Sequence, residues 1–282
     1  MKAVGIIPAR WHATRLPGKP LAEIAGQPMI QHVYQRASQA ASLARVVVAT
    51  DDERILAAVR AFGGEAVLTS PDHRSGTDRV AEAAGSQAAD VVVNIQGDEP
   101  LIDPHAIDSL VAPFESRPEL SMTTLAVEIR TAEEIADPSV VKVVIDRQGY
   151  ALYFSRFPIP YFRGEGSGVG GRGGAARSEP GPSSTLPNLT PHPRPLTPGA
   201  QRLKHIGLYA YRADFLQAFS RMEPTPLEQA EALEQLRVLE NGERIFVVLT
   251  EHDAVSVDTP EDLARVRAMM ERGHRPAGVV DG

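Results

Sequence analysis

The chain of 282 residues has no cysteine, which excludes a disulfide framework, a zinc–thiolate centre and a thiol nucleophile. That absence fits a reducing compartment. No apolar run approaches the ~18 residues of a membrane-spanning helix. The opening Met1–Pro8 carries one basic residue and a short apolar run ending at proline, too little for a secretory signal, so a cytoplasmic protein is expected. Basic residues are in the minority, with 29 Lys and Arg against 36 Asp and Glu and a net charge of −7. A general nucleic-acid binder needs a broad basic surface, and this balance argues against one. What remains, 43% apolar and 23% charged, is the make-up of an ordinary globular protein. A chain of this length buries ~75% of its unfolded surface, so it needs no metal or disulfide staple.

Through residues 1–110, short Val- and Ile-rich runs alternate with helical patterns. Residues 3–7, 44–50, 65–68 and 90–95 read as strands, and 28–43, 52–62 and 78–89 as helices. The second helix carries Ile55, Leu56, Val59 and Phe62 on one face and stops at Gly63-Gly64. Continuous apolar strands joined by helices require a parallel sheet covered on both faces. The expectation is therefore an α/β fold with an open, Rossmann-like, doubly wound and mostly parallel sheet. Beyond it, runs at 121–129, 140–146 and 150–155 lie close together with Arg147-Gln148-Gly149 as a turn, which predicts a smaller antiparallel part. Residues 205–211, 244–249 and 254–257 read as further strands, and 227–239 and 260–272 as helices, the last opened by Asp258-Thr259-Pro260. Of the 38 residues at 163–200, 20 are Gly, Pro or Ser, the composition of a disordered insertion in a loop. Residues 273–282 read as a flexible tail, leaving one interrupted domain over 1–272.

The first 20 residues hold Lys2, Arg10, Arg15 and Lys19 and no acid at all. Arg10–Lys19 follows the first strand, where an open parallel sheet places its ligand crevice. Pro17-Gly18-Lys19-Pro20 is a turn whose backbone N–H groups can approach an anion while Lys19 supplies a point charge. Three cations on one loop suit a polyphosphate better than a single carboxylate, although a solvated basic loop is the plainer alternative. The glycine spacing of a P-loop is absent. Gln96-Gly97-Asp98-Glu99-Pro100 directly follows another strand, and a carboxylate there, facing a cationic loop, is placed to hold Mg²⁺. Magnesium takes one or two carboxylates, and Asp258 is the best candidate for the second. Asp-Thr-Pro is also a good helix-cap sequence, so taken alone Asp258 reads first as a helix cap, and both roles could coexist. Ser75 and Thr77, in His73-Arg74-Ser75-Gly76-Thr77-Asp78-Arg79, suit a helix cap or a loop that reads a base.

In combination, Arg10, Thr14-Arg15-Leu16-Pro17-Gly18-Lys19-Pro20-Leu21, His73–Arg79 and Gln96–Pro100 resemble the nucleotide-sugar cytidylyltransferases. The resemblance narrows to those that activate 3-deoxy-manno-octulosonate (Kdo), supported by Tyr153-Phe154-Ser155-Arg156, His205–Arg212, Leu233–Arg237 and Val257–Asp262. It implies that Arg10, Arg15 and Lys19 hold the CTP triphosphate, that Ser75 and Gln96 lie by the cytidine, and that Asp98 and Asp258 bind magnesium. It also implies that Arg156, His205, Tyr209, Glu234 and Gln235 take the sugar, with Arg156 able to pair the Kdo carboxylate. Residues 1–115 then form the CTP-binding half and 116–272 the Kdo-binding and dimerisation half. The implied assembly is a homodimer, and the implied product feeds lipopolysaccharide synthesis. A cytidylyltransferase for another acidic sugar such as sialic acid, a sugar-1-phosphate nucleotidylyltransferase and a catalytically silent nucleotide-binding regulator are the alternatives.

Overall fold

A computed structural model describes residues 1–12, 15–162 and 202–272. The Gly/Pro/Ser-rich stretch 163–200 and the tail 273–282 lie outside the described residues. In the first half the chain forms β1 (Ala3–Ala9), a small hairpin of β2 (Glu23–Ile24) and β3 (Gln27–Pro28), α1 (Met29–Ala37) and β4 (Leu43–Thr50). It continues through α2 (Glu53–Ala61), β5 (Ala66–Leu68), α3 (Gly76–Gly85), β6 (Val91–Asn94), α4 (Pro104–Val111) and the single turn α5 (Pro113–Ser116). The second half holds β7 (Met122–Glu128), α6 (Ala132–Ala136), β8 (Lys142–Ile145), β9 (Ala151–Ser155) and β10 (Leu203–Arg212). It ends with α7 (Ala213–Phe219), α8 (Pro226–Glu231), α9 (Leu236–Glu240), β11 (Ile245–Leu249) and α10 (Pro260–Glu271).

The main sheet runs β11-β7-β10-β6-β1-β4-β5. Parallel pairing joins β6, β1, β4 and β5, and also β11 and β7. β10 is antiparallel to both β6 and β7, so along this path it alone runs against the rest. The mostly parallel sheet expected from the apolar runs is therefore present, and the antiparallel part is β8 and β9 hung from β10. From β1 the chain builds outward to β4 and β5, then returns to β6 on the other side of β1. That reversal opens a crevice at the carboxyl ends of β1 and β6.

Alternation along the strands divides the core. Ile7, Val48 and Val93 face one side with Ile30, Val33, Ile55, Val59, Ile107 and Leu110 from α1, α2 and α4. Val4, Ile6, Val92 and Tyr211 face the other with Val80, Leu216, Phe219, Leu236 and Val238 from α3, α7 and α9. A third cluster joins Ile24 and Met29 to Leu101, Val257, Leu263 and Val266, which pins the start of α10 against the loop after β6. Among the described residues no helix is long and apolar enough to cross a membrane.

Three local expectations are corrected. Residues 227–239 form two short helices, because Ala232 enters the left-handed region at φ 51° and ends α8. Arg237 Nε donates to Glu228 Oε2 at 2.7 Å across that break and holds the two helices together. Residues 254–257 have no ladder and run irregularly to Val257, whose N–H donates to Asp98 O at 2.9 Å. The helix expected at 28–43 stops at Ala37, where Ser38 begins a turn.

Candidate active site

The crevice is a cleft of about 400 Å³ lined by Arg10, Arg15, Lys19, Ser75, Arg79, Gln96, Asp98 and Asp258 among others. Its basic wall is the loop after β1. Gly18 sits at φ 69° and its N–H donates to Trp11 O at 3.0 Å, closing the loop on itself. A Cβ at Gly18 would lie 3.0 Å from the Trp11 ring, so only glycine gives both the conformation and the room. A short 3-10 turn, Lys19–Leu21, with Pro20 buried, then aims the Lys19 side chain inward. Its ammonium donates to Asp98 Oδ2 at 2.6 Å and to Asp258 Oδ1 at 3.2 Å. Arg15 reaches Asp258 Oδ2 at 3.7 Å from a largely exposed position, and Arg10 is exposed at the rim.

Asp98 arrives from β6 through Gly97, where a Cβ would stand 2.9 Å from Pro8 O and block the close approach of the two strand ends. Asp258 arrives through the third core cluster and the Val257–Asp98 backbone bond. It does not cap α10. Thr259 is the cap, its hydroxyl accepting from Asp262 N–H while the Asp262 carboxylate accepts from Thr259 N–H. The Asp258 carboxylate is thus left to face Lys19. Glu99, next to Asp98, is fully buried, and burial followed by the Asp98 charge pushes its carboxyl up to about 8.

The far wall is the start of α3. Ser75 caps it in a reciprocal box with Asp78, and Ser75 and Gly76 line the cleft where the helix begins. Arg79 lies beneath, buried, its Nη2 donating to Asp51 Oδ2 at 2.8 Å and its Nη1 donating to Thr69 Oγ1. Gln96 Nε2 donates to Gly207 O at 2.9 Å and ties the end of β6 to β10 at its register shift.

A family profile for cytidylyltransferases matches residues 4–245. The chain belongs to the cytidylyltransferase family. It is 50% identical over 266 residues to the 3-deoxy-manno-octulosonate cytidylyltransferase of Geobacter sulfurreducens, covering 94% of this chain and 98% of that one. It is also 50% identical over 272 residues to the enzyme of the same name from Geobacter metallireducens, covering 96% and 99%. Among solved structures, CMP:2-keto-3-deoxy-manno-octonic acid synthetase complexed with CTP superposes with a TM-score of 0.82 at 44% identity, covering 97% of this chain and 100% of that one.

In this cytidylyltransferase the structure brings Arg10, Arg15, Lys19, Ser75, Gln96, Asp98 and Asp258 into one cleft. The residues expected on the sugar side, other than Arg156, form a second group beside it. Thr77 Oγ1, in the first turn of α3, donates to Glu234 Oε2 at 2.6 Å and joins the two. Burial raises the Glu234 carboxyl pKa despite that bond, and the neighbouring Gln235 is buried too. His205 is half-buried as a residue, but its ring packs on Phe154 and Tyr209, and burial pushes its imidazole down to about 3. Its Nε2 lies 3.0 Å from Thr124 Oγ1, which itself donates to Leu208 O. Burial, then the Glu234 charge, raises the Tyr209 phenol further above its ordinary range. Arg156 stands apart. Its guanidinium donates to the carbonyls of Glu231, Pro138 and Ala232, so it buttresses the segment that carries Glu234 and does not line the cleft. Sequence reasoning passed over Arg79 as a site residue. The only local signal was a basic residue in the first turn of a helix, where cations are disfavoured.

Among the described residues no group of three or more His, Cys, Asp or Glu side chains converges as a metal cage. The donor set is the carboxylate pair Asp98 and Asp258, already gathered around one cation, the Lys19 ammonium. Two carboxylates beside a basic loop fit Mg²⁺, which takes one or two carboxylates and keeps its other positions for water and a ligand's oxygens.

Proposed function

We infer that this cytidylyltransferase transfers CMP from CTP to the anomeric hydroxyl of 3-deoxy-D-manno-octulosonate, giving CMP-Kdo and pyrophosphate. The observation that carries the site reading is the convergence of Lys19, Arg15 and Arg10 with Asp98 and Asp258 where β1 and β6 end. The anomeric oxygen attacks the α-phosphorus in line, and the bond from that phosphorus to the pyrophosphate oxygen breaks. Arg10, Arg15 and Lys19 bind the triphosphate and offset the charge gathering on the departing pyrophosphate. Ser75, the first amides of α3 and Gln96 position the cytidine. His205, Tyr209, Glu234 and Gln235 orient the sugar, and Arg156 holds their segment in place or meets the Kdo carboxylate. Asp98 and Asp258 hold Mg²⁺, which supplies positive charge to the phosphate oxygens when bound. Positioning and charge stabilisation, without a covalent intermediate, account for the acceleration.

The same reading divides the domain into a CTP-binding half over 1–115 and a Kdo-binding and dimerisation half over 116–272. Among the described residues β9 pairs with β8 alone, and Leu152 on β9 and Phe157 and Tyr161 just beyond its end are exposed apolar residues, which supports a homodimer built there. The reaction belongs in the cytoplasm, where CTP is available, and activates Kdo for lipopolysaccharide biosynthesis. Pyrophosphate release with CTP and a panel of acidic sugars, with and without Mg²⁺, tests the reaction. Activity with Kdo and Mg²⁺ is expected, and preference for sialic acid would transfer the enzyme to another acidic sugar.

A further inference from the structure

We propose that Lys19 is a built-in substitute for the metal ion: it occupies the Asp98–Asp258 pair in the free enzyme and surrenders it when the nucleotide arrives. The proposal rests on the reading of Asp98 and Asp258 as the metal ligands. Its starting point is geometry. One ammonium spans both carboxylates, at 2.6 Å to Asp98 Oδ2 and 3.2 Å to Asp258 Oδ1. The Lys19 side chain is 16% exposed and Asp258 43%, so the ammonium is largely covered while the carboxylate pair still opens to solvent. Its backbone is fixed by the Gly18 turn and by buried Pro20, which leaves the flexible stem as the part that moves.

Two carboxylates brought together without a cation would repel, and here they sit at chain positions 98 and 258, held by the Val257–Asp98 backbone bond. Lys19 neutralises part of that charge and keeps the pair assembled. Magnesium takes carboxylate oxygens at ~2.0–2.1 Å, far inside the distance at which the ammonium holds them, so ion and ammonium compete for the same oxygens. Without nucleotide, the ion must displace a bound cation whose side-chain partners among the described residues are these two carboxylates. A triphosphate changes this. Its oxygens offer Lys19 a new anion within the reach of its stem, and the carboxylate pair becomes free. Metal and nucleotide therefore bind with positive coupling, each drawing Lys19 the same way, and linkage requires the effect to be reciprocal.

The test uses the full chain, with Mg²⁺ or Mn²⁺ alone as probe and no nucleotide present. Isothermal titration calorimetry and the metal-induced rise in Tm are read on wild type, Lys19→Met and Lys19→Arg. Lys19→Met should bind the ion more tightly than wild type by a factor within the ~5–150-fold span of typical coupling, and its Tm should rise more on adding the ion. Lys19→Arg should stay as weak as wild type, because it keeps the charge. Equal or weaker metal binding by Lys19→Met overturns the proposal. Asp98→Asn in the Lys19→Met background separates the two readings. Loss of the gained affinity supports both, whereas a gain that survives places the ion elsewhere and overturns the assignment of the carboxylate pair. Should Lys19→Met fold poorly without metal, recovery of its Tm by the ion alone still reads the competition, and a Tm unmoved by the ion counts against it.

Discussion

At the carboxyl ends of β1 and β6 the functional side chains are charged and reach solvent: Asp258 is 43% exposed and Arg15 67% exposed, with Lys19 between two carboxylates. Beside β10 the polar groups are enclosed and pushed toward their neutral forms. His205 is held down to about 3, and the Glu234 carboxyl and Tyr209 phenol are raised, each chiefly by burial. The first arrangement can exchange one ion for another, because each charge keeps access to water and to a new partner. The second cannot rearrange cheaply, since a buried polar group that loses its hydrogen bond has nothing to replace it. The charged end is thus suited to a polyphosphate and a metal that come and go, and the neutral end to fixing hydroxyl groups in one orientation.

Variants at the charged end should give the largest effects. Asp98→Asn and Asp258→Asn are each expected to lower kcat at least ~10²-fold with the far-ultraviolet circular dichroism unchanged, as for loss of one preorganised electrostatic partner. Near-normal turnover by folded Asp258→Asn would reduce that residue to a support for the start of α10. Lys19→Ala should raise KM for CTP by roughly tenfold to a hundredfold, the cost of a lost charge-assisted hydrogen bond, and move KM for Kdo far less. A larger change in KM for Kdo would mean that the two ends have been assigned to the wrong substrates.

The bond that joins the ends gives the next effect. Thr77→Val leaves the Glu234 carboxylate without its 2.6 Å donor. A loss of about 1–3 kcal/mol in urea unfolding is expected, with Thr77→Ser restoring it. An unchanged midpoint would show that the two regions are held together by other contacts. Arg156→Ala should raise KM for Kdo several-fold and speed hydrogen exchange around residues 231–235, because three carbonyl contacts are lost. KM for CTP should stay put, and a change confined to CTP would contradict the separation.

The smallest effect concerns pH. Buried His205 stays neutral in the folded protein down to about 3, whereas in the unfolded chain it takes up a proton below about 6.5. The unfolded state thus binds more protons across that window, so stability present above it is lost as pH falls. Between pH 7 and 5, the Tm of His205→Gln should fall by several degrees less than that of wild type. Parallel decline of both proteins would remove His205 from the acid response.

Much of the architecture was legible in the chain because strand and helix patterns are local. The β-branched runs that became β1, β4 and β6 announced themselves, and so did the stop at Gly63-Gly64. Asp98 was legible for the same reason, as an acid at the end of such a run. Asp258 was expected at the end of a strand, yet residues 254–257 form none; the acid is delivered by core packing and one backbone bond. The helix expected over 227–239 breaks at Ala232, which carries no glycine or proline to signal it, since the Arg237–Glu228 pair forms only once both helices are docked. Arg156 was assigned by resemblance to the sugar, and its carbonyl partners come from segments distant in sequence.

The sequence by itself determined the parallel core, the acid-free basic loop after the first strand, the glycine needed at position 18 and the exclusion of thiol chemistry. These follow from periodicity, turn chemistry and composition, all of which act between near neighbours. Only the tertiary structure decided that Lys19 meets Asp258, 239 residues away, that Thr259 and not Asp258 caps the last helix, and that Arg79 lies buried under the cleft. Charges choose partners by distance in space, and that distance exists only after the sheet has closed around its two strand ends.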